Sequence, residues 1–161
     1  MKGALVMEFK EVIKNRFSCR KYSDKEVEAK KLTAILEAGR LAPTAKNLQE
    51  QRVYVLQSSA ALAKIDSVMP CRYGAPVVIA VAYDKNNVFT YPGGKKQYGD
   101  EDAAIVATQM ILAATDEGLN SLWNNFTGNR RKDAGRDMSG SLYDVDIRAE
   151  MEVPDPLASG R

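Results

Sequence analysis

The chain has 161 residues, of which 45% are hydrophobic and 27% charged, with a formal net charge of +2 and no histidine. This length suits one domain with its own hydrophobic core, and so small a net charge does not indicate a nucleic-acid partner. Without histidine, the serine–histidine triad, the cysteine–histidine pair and histidine-ligated zinc are excluded. Any chemistry must then come from carboxylates, lysines, hydroxyls or a bound cofactor.

The cysteines and the N-terminal residues bear on where the protein works. Cys19 and Cys71 lack the spacing of metal ligands, which favours reduced thiols. Residues 1–7 lack the apolar length and cleavage site of a signal peptide, and no segment approaches the roughly 20 apolar residues that span a bilayer. We therefore expect a cytoplasmic protein with no membrane contact.

Hydrophobic periodicity predicts the order of helices and strands. In chain order, the predicted elements are a helix over residues 8–15, a helix over 23–41, a strand over 52–56, a helix over 60–68, a strand over 77–83 and a helix over 103–115. Ser23 and Asp24 mark the expected start of the second helix, and Pro43 stops it. The unbroken apolar run over residues 77–83 indicates a central strand covered on both faces.

The last predicted helix, residues 103–115, is apolar on nearly every face, which is typical of a core or a subunit interface. Gly118 is expected to end it, and residues 119–126 are expected to form a short strand entering a loop. After Phe126 the pattern fades, although residues 142–147 allow one edge strand. Helices interleaved with strands predict a mixed α+β domain.

Arg16, Ser18 and Arg20 occupy alternate positions just after the first predicted helix. In an extended stretch, their side chains project from the same side. Two fixed cations and a hydroxyl donor on one side can bind a phosphate or another oxyanion. Spacing alone favours the simpler interpretation, a solvated basic loop.

Four stretches, in this order, resemble the nitroreductase family of FMN enzymes. Residues 16–22 are similar to the family's R-x-S-x-R-x-F-like segment, and residues 42–49 to its A-P-S-x-x-N-x-Q-P-W loop. Residues 75–79 are similar to its central strand, and residues 102–123 to its long central helix followed by G-L-G-S-x-W. The resemblance covers about residues 7–126.

The resemblance implies a three-layer α+β fold, with a mainly antiparallel central sheet flanked by helices, in a homodimer with FMN at the interface. We expect residues 1–161 to form a single FMN-binding domain, within which residues 127–161 match the family poorly. Two departures stand out. Gln49, Glu50 and Gln51 stand where the family has Q-P-W, which alters the wall near the flavin. Residues 146–150 contain Asp146, Arg148 and Glu150 where an apolar strand is normal.

The same resemblance implies which residues bind the cofactor. Arg16 and Ser18, flanking Phe17, would contact the FMN phosphate, and Arg20 would lie near the pyrimidine edge of the flavin. The residues expected to reach the flavin of the partner subunit are Pro43, Thr44, Ala45, Asn47 and Gln49. Those expected on the other side of the flavin are Trp123, Asn124 and Asn125, and Arg161 is a candidate for a last phosphate contact.

Some of these residues have simpler structural explanations. Without the resemblance, Asn47 and Gln49 are best read as residues that cap a turn. Trp123, after a buried helix, is more often a core residue than a cofactor contact.

The implied mechanism is ping-pong, in which NADH or NADPH reduces FMN and the flavin then reduces a nitroaromatic, quinone or similar small aromatic acceptor. FMN carries the chemistry, so no catalytic side chain and no metal are expected. Three alternatives stay open: an FMN reductase acting on an enone or a halogenated aromatic, a flavin-binding protein for storage or sensing, and an anion-binding domain without flavin.

Overall fold

The computed structural model describes residues 8–69, 71–94 and 96–124. Within them the elements are, in chain order, α1 (Phe9–Asn15), α2 (Ala29–Arg40), a single 3-10 turn (Ala45–Asn47), β1 (Gln51–Leu56), α3 (Ser59–Val68), β2 (Val78–Tyr83) and α4 (Gly99–Asp116). These helices and strands give the predicted α+β composition. None of the helices within these described ranges is long and apolar enough to cross a membrane.

β1 and β2 form an antiparallel pair in which Leu56 lies opposite Val78. Side chains alternate between the two faces of β2. Ile79 and Val81 pack against one cluster of buried residues, whereas Val78 and Ala80 pack against another. β2 therefore has apolar neighbours on both faces, as predicted. Its residues are only half-buried, however, and β1 is its one strand neighbour within the described ranges, so the predicted central position is not seen.

The main core lies between α2, α4 and one face of the sheet. Its buried residues are Ile35, Ala42, Val106, Met110 and Ala114. Lys31 Nζ donates to the Glu117 carbonyl at 2.6 Å, while Gly39, two turns further along α2, faces Met110, so the two helices run antiparallel. A Cβ on Gly39 would lie 2.7 Å from Met110 Sδ, and the missing side chain lets the helices approach closely.

A smaller core holds α3 against the opposite face of the sheet. Its buried residues are Leu56, Ala61 and Ile65. Ser58 caps α3, because its Oγ accepts the Ala61 N–H at 3.1 Å. The predicted start at residue 60 is therefore right to within one residue.

α2 begins later than predicted. Glu28 is extended, with φ −59 and ψ 131, and is the N-cap residue, so the first helical residue is Ala29. Ser23 and Asp24, the expected start, precede the helix and do not cap it. The predicted start was wrong because serine and aspartate are common both in turns and at helix N-caps, so the pair does not distinguish the two.

α4 begins four residues before its predicted start. Its first turn contains the acidic residues Asp100, Glu101 and Asp102. Negative charge is favoured at a helix N-terminus. Because these residues are not apolar, hydrophobic periodicity does not detect this first turn. At the other end, Gly118 has φ +73 and follows the C-cap residue Glu117, which agrees with the predicted end of the helix.

Candidate functional site

The arginine segment (residues 16–20) leaves α1 in an extended conformation and lies beside the Ser121 segment (residues 119–124), which follows α4. Ser18 and Ser121 form a parallel bridge, and the Cys19 N–H donates to the Ser121 carbonyl at 3.0 Å. The structure thus brings together two stretches that the resemblance assigns to one site. The strand predicted over residues 119–126 is reduced to this single bridge in the part that is described.

Cys19 anchors the arginine segment through its buried side chain. Its side chain is 9% exposed, and Sγ donates to the Lys21 carbonyl at 3.1 Å. Tyr22 Oη donates to the Cys19 carbonyl, also at 3.1 Å. Burial, and then the nearby Cys19 thiol, raise the pKa of Tyr22 to about 12, so the phenol keeps the proton of this hydrogen bond at neutral pH. The chain is therefore fixed at Cys19 while its neighbours stay at the surface.

The predicted phosphate-binding side chains are all exposed. Arg16, Phe17, Ser18 and Arg20 face solvent, and Arg20 Nη1 donates to the Ser18 carbonyl at 3.4 Å. Among the described residues, neither arginine forms an ion pair with a carboxylate. Two guanidinium groups and one hydroxyl are thus available together, a donor set that suits a phosphate.

The Ser121 segment adds polar groups beside these donors. Ser121 Oγ is buried and has no hydrogen-bond partner in the described part of the chain. Asn124 Nδ2 donates to the Cys71 carbonyl at 3.2 Å, which holds the segment in place. Trp123 is 41% exposed, so the expectation of a core tryptophan is wrong. Asn125 and Arg161, the remaining predicted contacts, lie outside the described residues.

The Pro43 loop (residues 43–49) follows α2. It is closed by backbone donors: the Asn47 N–H donates to the Thr44 carbonyl at 2.9 Å, and the Gln49 N–H donates to Thr44 Oγ1 at 3.1 Å. Lys46, Asn47 and Gln49 have φ of 57, 54 and 53, a left-handed conformation that residues with a Cβ disfavour. The turn is formed by backbone donors, and the side chains of Pro43, Asn47 and Gln49 are exposed to solvent.

Asp102, in the first turn of α4, holds the Pro43 loop. Its side chain is 3% exposed, and both carboxylate oxygens lie 3.0 Å from the Ala45 nitrogen. Beside it lies Glu50, which is fully buried. Burial and the Asp102 carboxylate raise the pKa of Glu50. Sequence reasoning missed this pair, although Glu50 stands where the family motif has proline.

The arginine segment and the Pro43 loop lie at opposite ends of α2. The 12 residues of α2 span about 18 Å. Because α2 and α4 are antiparallel, the arginine segment meets the chain that leaves the C-terminal end of α4, whereas the Pro43 loop is held near its N-terminal end. Within one chain, the two groups of predicted site residues are therefore well separated.

Comparisons with known proteins agree with the family resemblance. The family described as the nitroreductase family matches residues 13–70. A protein from Methanothermobacter thermautotrophicus, named "Putative NADH dehydrogenase/NAD(P)H nitroreductase", is 34% identical over 122 residues. The match covers 73% of this chain and 60% of that relative, so the chain spans only part of the relative's length.

Solved structures give the same answer. A nitroreductase family protein from Clostridium difficile 630 is similar with a TM-score of 0.71 and 42% identity, over 74% of this chain and 69% of that one. A nitroreductase with bound FMN from Bacteroides fragilis NCTC 9343 is similar with a TM-score of 0.61 and 25% identity, over 89% and 77%. The arginine segment lies beside the Ser121 segment, and these relatives match most of the chain. The chain therefore belongs to the nitroreductase family.

Proposed function

We propose that this chain binds FMN and uses NADH or NADPH to reduce nitroaromatic, quinone or similar small aromatic acceptors. The observation that carries the proposal is the Ser18–Ser121 bridge, which joins the arginine segment to the Ser121 segment. The FMN bound to the Bacteroides fragilis nitroreductase supports the cofactor. The name of the Methanothermobacter relative supports a nicotinamide nucleotide as the electron donor.

The phosphate of FMN suits the arginine segment. Arg16 and Ser18 would donate to it, with Phe17 between them, since guanidinium–phosphate hydrogen bonds are charge-assisted and strong. Ser121 Oγ is a buried polar atom that a ligand could satisfy, and buried polar atoms in proteins are normally paired. Arg161 is proposed as a further phosphate contact.

The flavin ring is assigned to Arg20 and to the end of the Ser121 segment. Arg20 follows the anchored Cys19, and a fixed cation at the pyrimidine edge would stabilise the negative charge that reduction adds. The ring of Trp123 offers exposed apolar surface for one side of the flavin, and Asn124 and Asn125 are proposed beside it.

The Pro43 loop is proposed to serve the flavin of the other subunit in a homodimer. The distance between the loop and the arginine segment, at opposite ends of α2, supports sites built from two chains. Large apolar side chains that are exposed also support an interface: Phe9 68%, Ile13 50%, Phe17 52%, Leu41 63% and Ile105 39%. The residues assigned to the shared site are Pro43, Thr44, Ala45, Asn47 and Gln49. Ala45 would contact the flavin through its methyl group or carbonyl, because Asp102 already binds its N–H.

The chemistry that bound FMN supplies is hydride transfer, from NADH or NADPH to the acceptor in a ping-pong sequence. The chain's own residues bind the phosphate, orient the ring and set the charge at its pyrimidine edge. No side chain has to act as a nucleophile, which agrees with a chain that lacks histidine. We further propose that the chain forms one domain with a three-layer arrangement, in which helices cover both faces of the sheet.

Anaerobic mixing of the FMN-loaded protein with NADH or NADPH tests this function. The visible absorbance of the flavin should bleach with one of the two nucleotides and return when a quinone or nitroaromatic is added. Bound FMN that neither nucleotide reduces would leave a flavin-binding protein without turnover, and would contradict the enzyme.

Mixed dimers test the shared site. A dimer of one Arg16→Ala chain and one Asn47→Gly chain should keep one intact site, because the two changes fall in the same site. Glycine at residue 47 retains the left-handed backbone (φ 54) while removing the side chain. The mixed dimer should bind half the FMN of the wild type. Loss of both sites would place Arg16 and Asn47 in the site of the same chain.

A further inference from the structure

The side chain of Glu50 ends in a buried carboxyl group. It has 0% exposure, and neither carboxyl oxygen has a hydrogen-bond partner among the described residues. Its backbone is fixed, because its carbonyl accepts the Asp84 N–H at 2.9 Å and β1 begins at the next residue, Gln51. An ionised carboxylate in this position would be buried without compensation, which is strongly unfavourable.

Two charged groups face Glu50: Asp102 on α4 and Arg52 on β1. Burial raises the pKa of Glu50 most, its own backbone N–H lowers it, and the nearby, negatively charged Asp102 carboxylate raises it further. Arg52 lowers it, but that side chain is exposed. Two carboxylates can share a hydrogen bond only if one carries a proton, and Glu50 is the fully buried group whose pKa is raised.

Asp102 is also the group that holds the Pro43 loop, through the Ala45 N–H. That loop has three residues with a side chain in the left-handed region, Lys46, Asn47 and Gln49. A backbone of this kind persists only where its surroundings fix it. The hydrogen bonds to Thr44 close the turn within the loop, and the Asp102 carboxylate ties that turn to α4.

We propose that Glu50 is a positioning residue: its neutral carboxyl donates a hydrogen bond to Asp102 and thereby aligns the carboxylate that holds Ala45 and the Pro43 loop. Loss of the proton puts two negative carboxylates in one buried site and releases the loop. The role is assigned from the contacts within this chain. It rests on the proposed function only in its consequence, which is that release of the loop would open the flavin site.

The direction of the pH effect follows from the raised pKa. When the Pro43 loop is released (open), Glu50 titrates near the ordinary glutamate pKa of about 4.3. When Asp102 holds the loop (closed), Glu50 keeps its proton to higher pH. The closed loop is therefore fully favoured at pH values below the ordinary glutamate pKa. It becomes less favoured as pH rises toward the raised pKa of Glu50. Between the two values the opening equilibrium should grow roughly tenfold per pH unit, because opening releases one proton.

Hydrogen exchange of the Ala45 amide in the full apo chain, corrected for the intrinsic pH dependence of exchange, measures this opening. As pH rises, protection of the Ala45 amide in the wild type should fall by roughly tenfold per pH unit. In Glu50→Gln it should not change with pH, because the side-chain amide of the new glutamine donates to Asp102 and does not titrate. Glu37→Gln, at an exposed carboxylate that pairs with Arg40, is the matched control and should behave as the wild type. Glu50→Leu, with no donor, should lose protection at every pH.

Equal slopes in the wild type and Glu50→Gln would overturn the proposal, as would full protection at low pH in Glu50→Leu. These outcomes are read without flavin. A chain that fails to bind FMN would end the proposed function and leave this test unaffected.

Discussion

Replacement of Asp102 by alanine tests how the Pro43 loop is held. The change removes both oxygens that accept the Ala45 N–H at 3.0 Å. It also removes one of three acidic residues from the first turn of α4 and leaves Glu50 without its partner. The chain should still fold, because the main core between α2 and α4 does not include Asp102.

The size of the effect can be worked from these contacts. A hydrogen bond to a charged group contributes about 1.5–3 kcal/mol, and an acidic residue in the first turn contributes about 0.3–1 kcal/mol through the helix dipole. Asp102→Ala should therefore lower the free energy of unfolding by about 2–4 kcal/mol at pH 7. Asp100→Ala, at an exposed position in the same turn, loses only the dipole contribution and should cost about 0.3–1 kcal/mol.

Urea unfolding followed by circular dichroism measures both variants under the same conditions. The decisive quantity is the difference between them, since the dipole contribution cancels. If Asp102→Ala costs no more than Asp100→Ala, the Asp102–Ala45 contact does not hold the loop, and the proposed role of Glu50 loses its basis.

Three further changes test the core and the division of roles in the arginine segment. Ile35→Ala, at a core position 4% exposed, should lower the free energy of unfolding by about 2–5 kcal/mol in urea melts, whereas a loss below about 1 kcal/mol would argue against the α2–α4 core. Arg16→Ala should weaken FMN binding by about 10–100-fold in fluorescence titrations, the equivalent of one charged hydrogen bond, and unchanged binding would remove Arg16 from the phosphate site. Arg20→Ala should slow flavin reduction by about tenfold or more in stopped-flow traces while retention of FMN changes little, and equal losses in both would indicate an anchoring role.

The sequence predicts the elements of this fold well where packing is regular. Apolar periodicity locates α1, α3, β1 and β2 to within a residue or two, because their buried residues recur at the period of a helix or a strand. It misplaces the starts of α2 and α4, since first turns are polar and their residue types also occur in turns. Within the described residues, the strand expected near Ser121 is a single bridge to Ser18.

The candidate site is predicted in part. The motifs identify Arg16, Ser18 and Arg20, and the structure adds that they meet the Ser121 segment. The contact between Glu50 and Asp102 joins residues far apart in sequence, and no local pattern in a single chain reveals such a pair. Glu50 is visible only as a departure from the family motif, and its burial beside Asp102 depends on tertiary packing.

Titration of FMN into the purified full chain tests the central claim most directly. Wild-type protein should bind one FMN per chain, with quenched flavin fluorescence, and the Arg16→Ala/Arg20→Ala double variant should lose most of that affinity while keeping its fold by circular dichroism. A wild type that binds no FMN, or a double variant that binds it equally well, would contradict the claim that the arginine segment is the phosphate and flavin site.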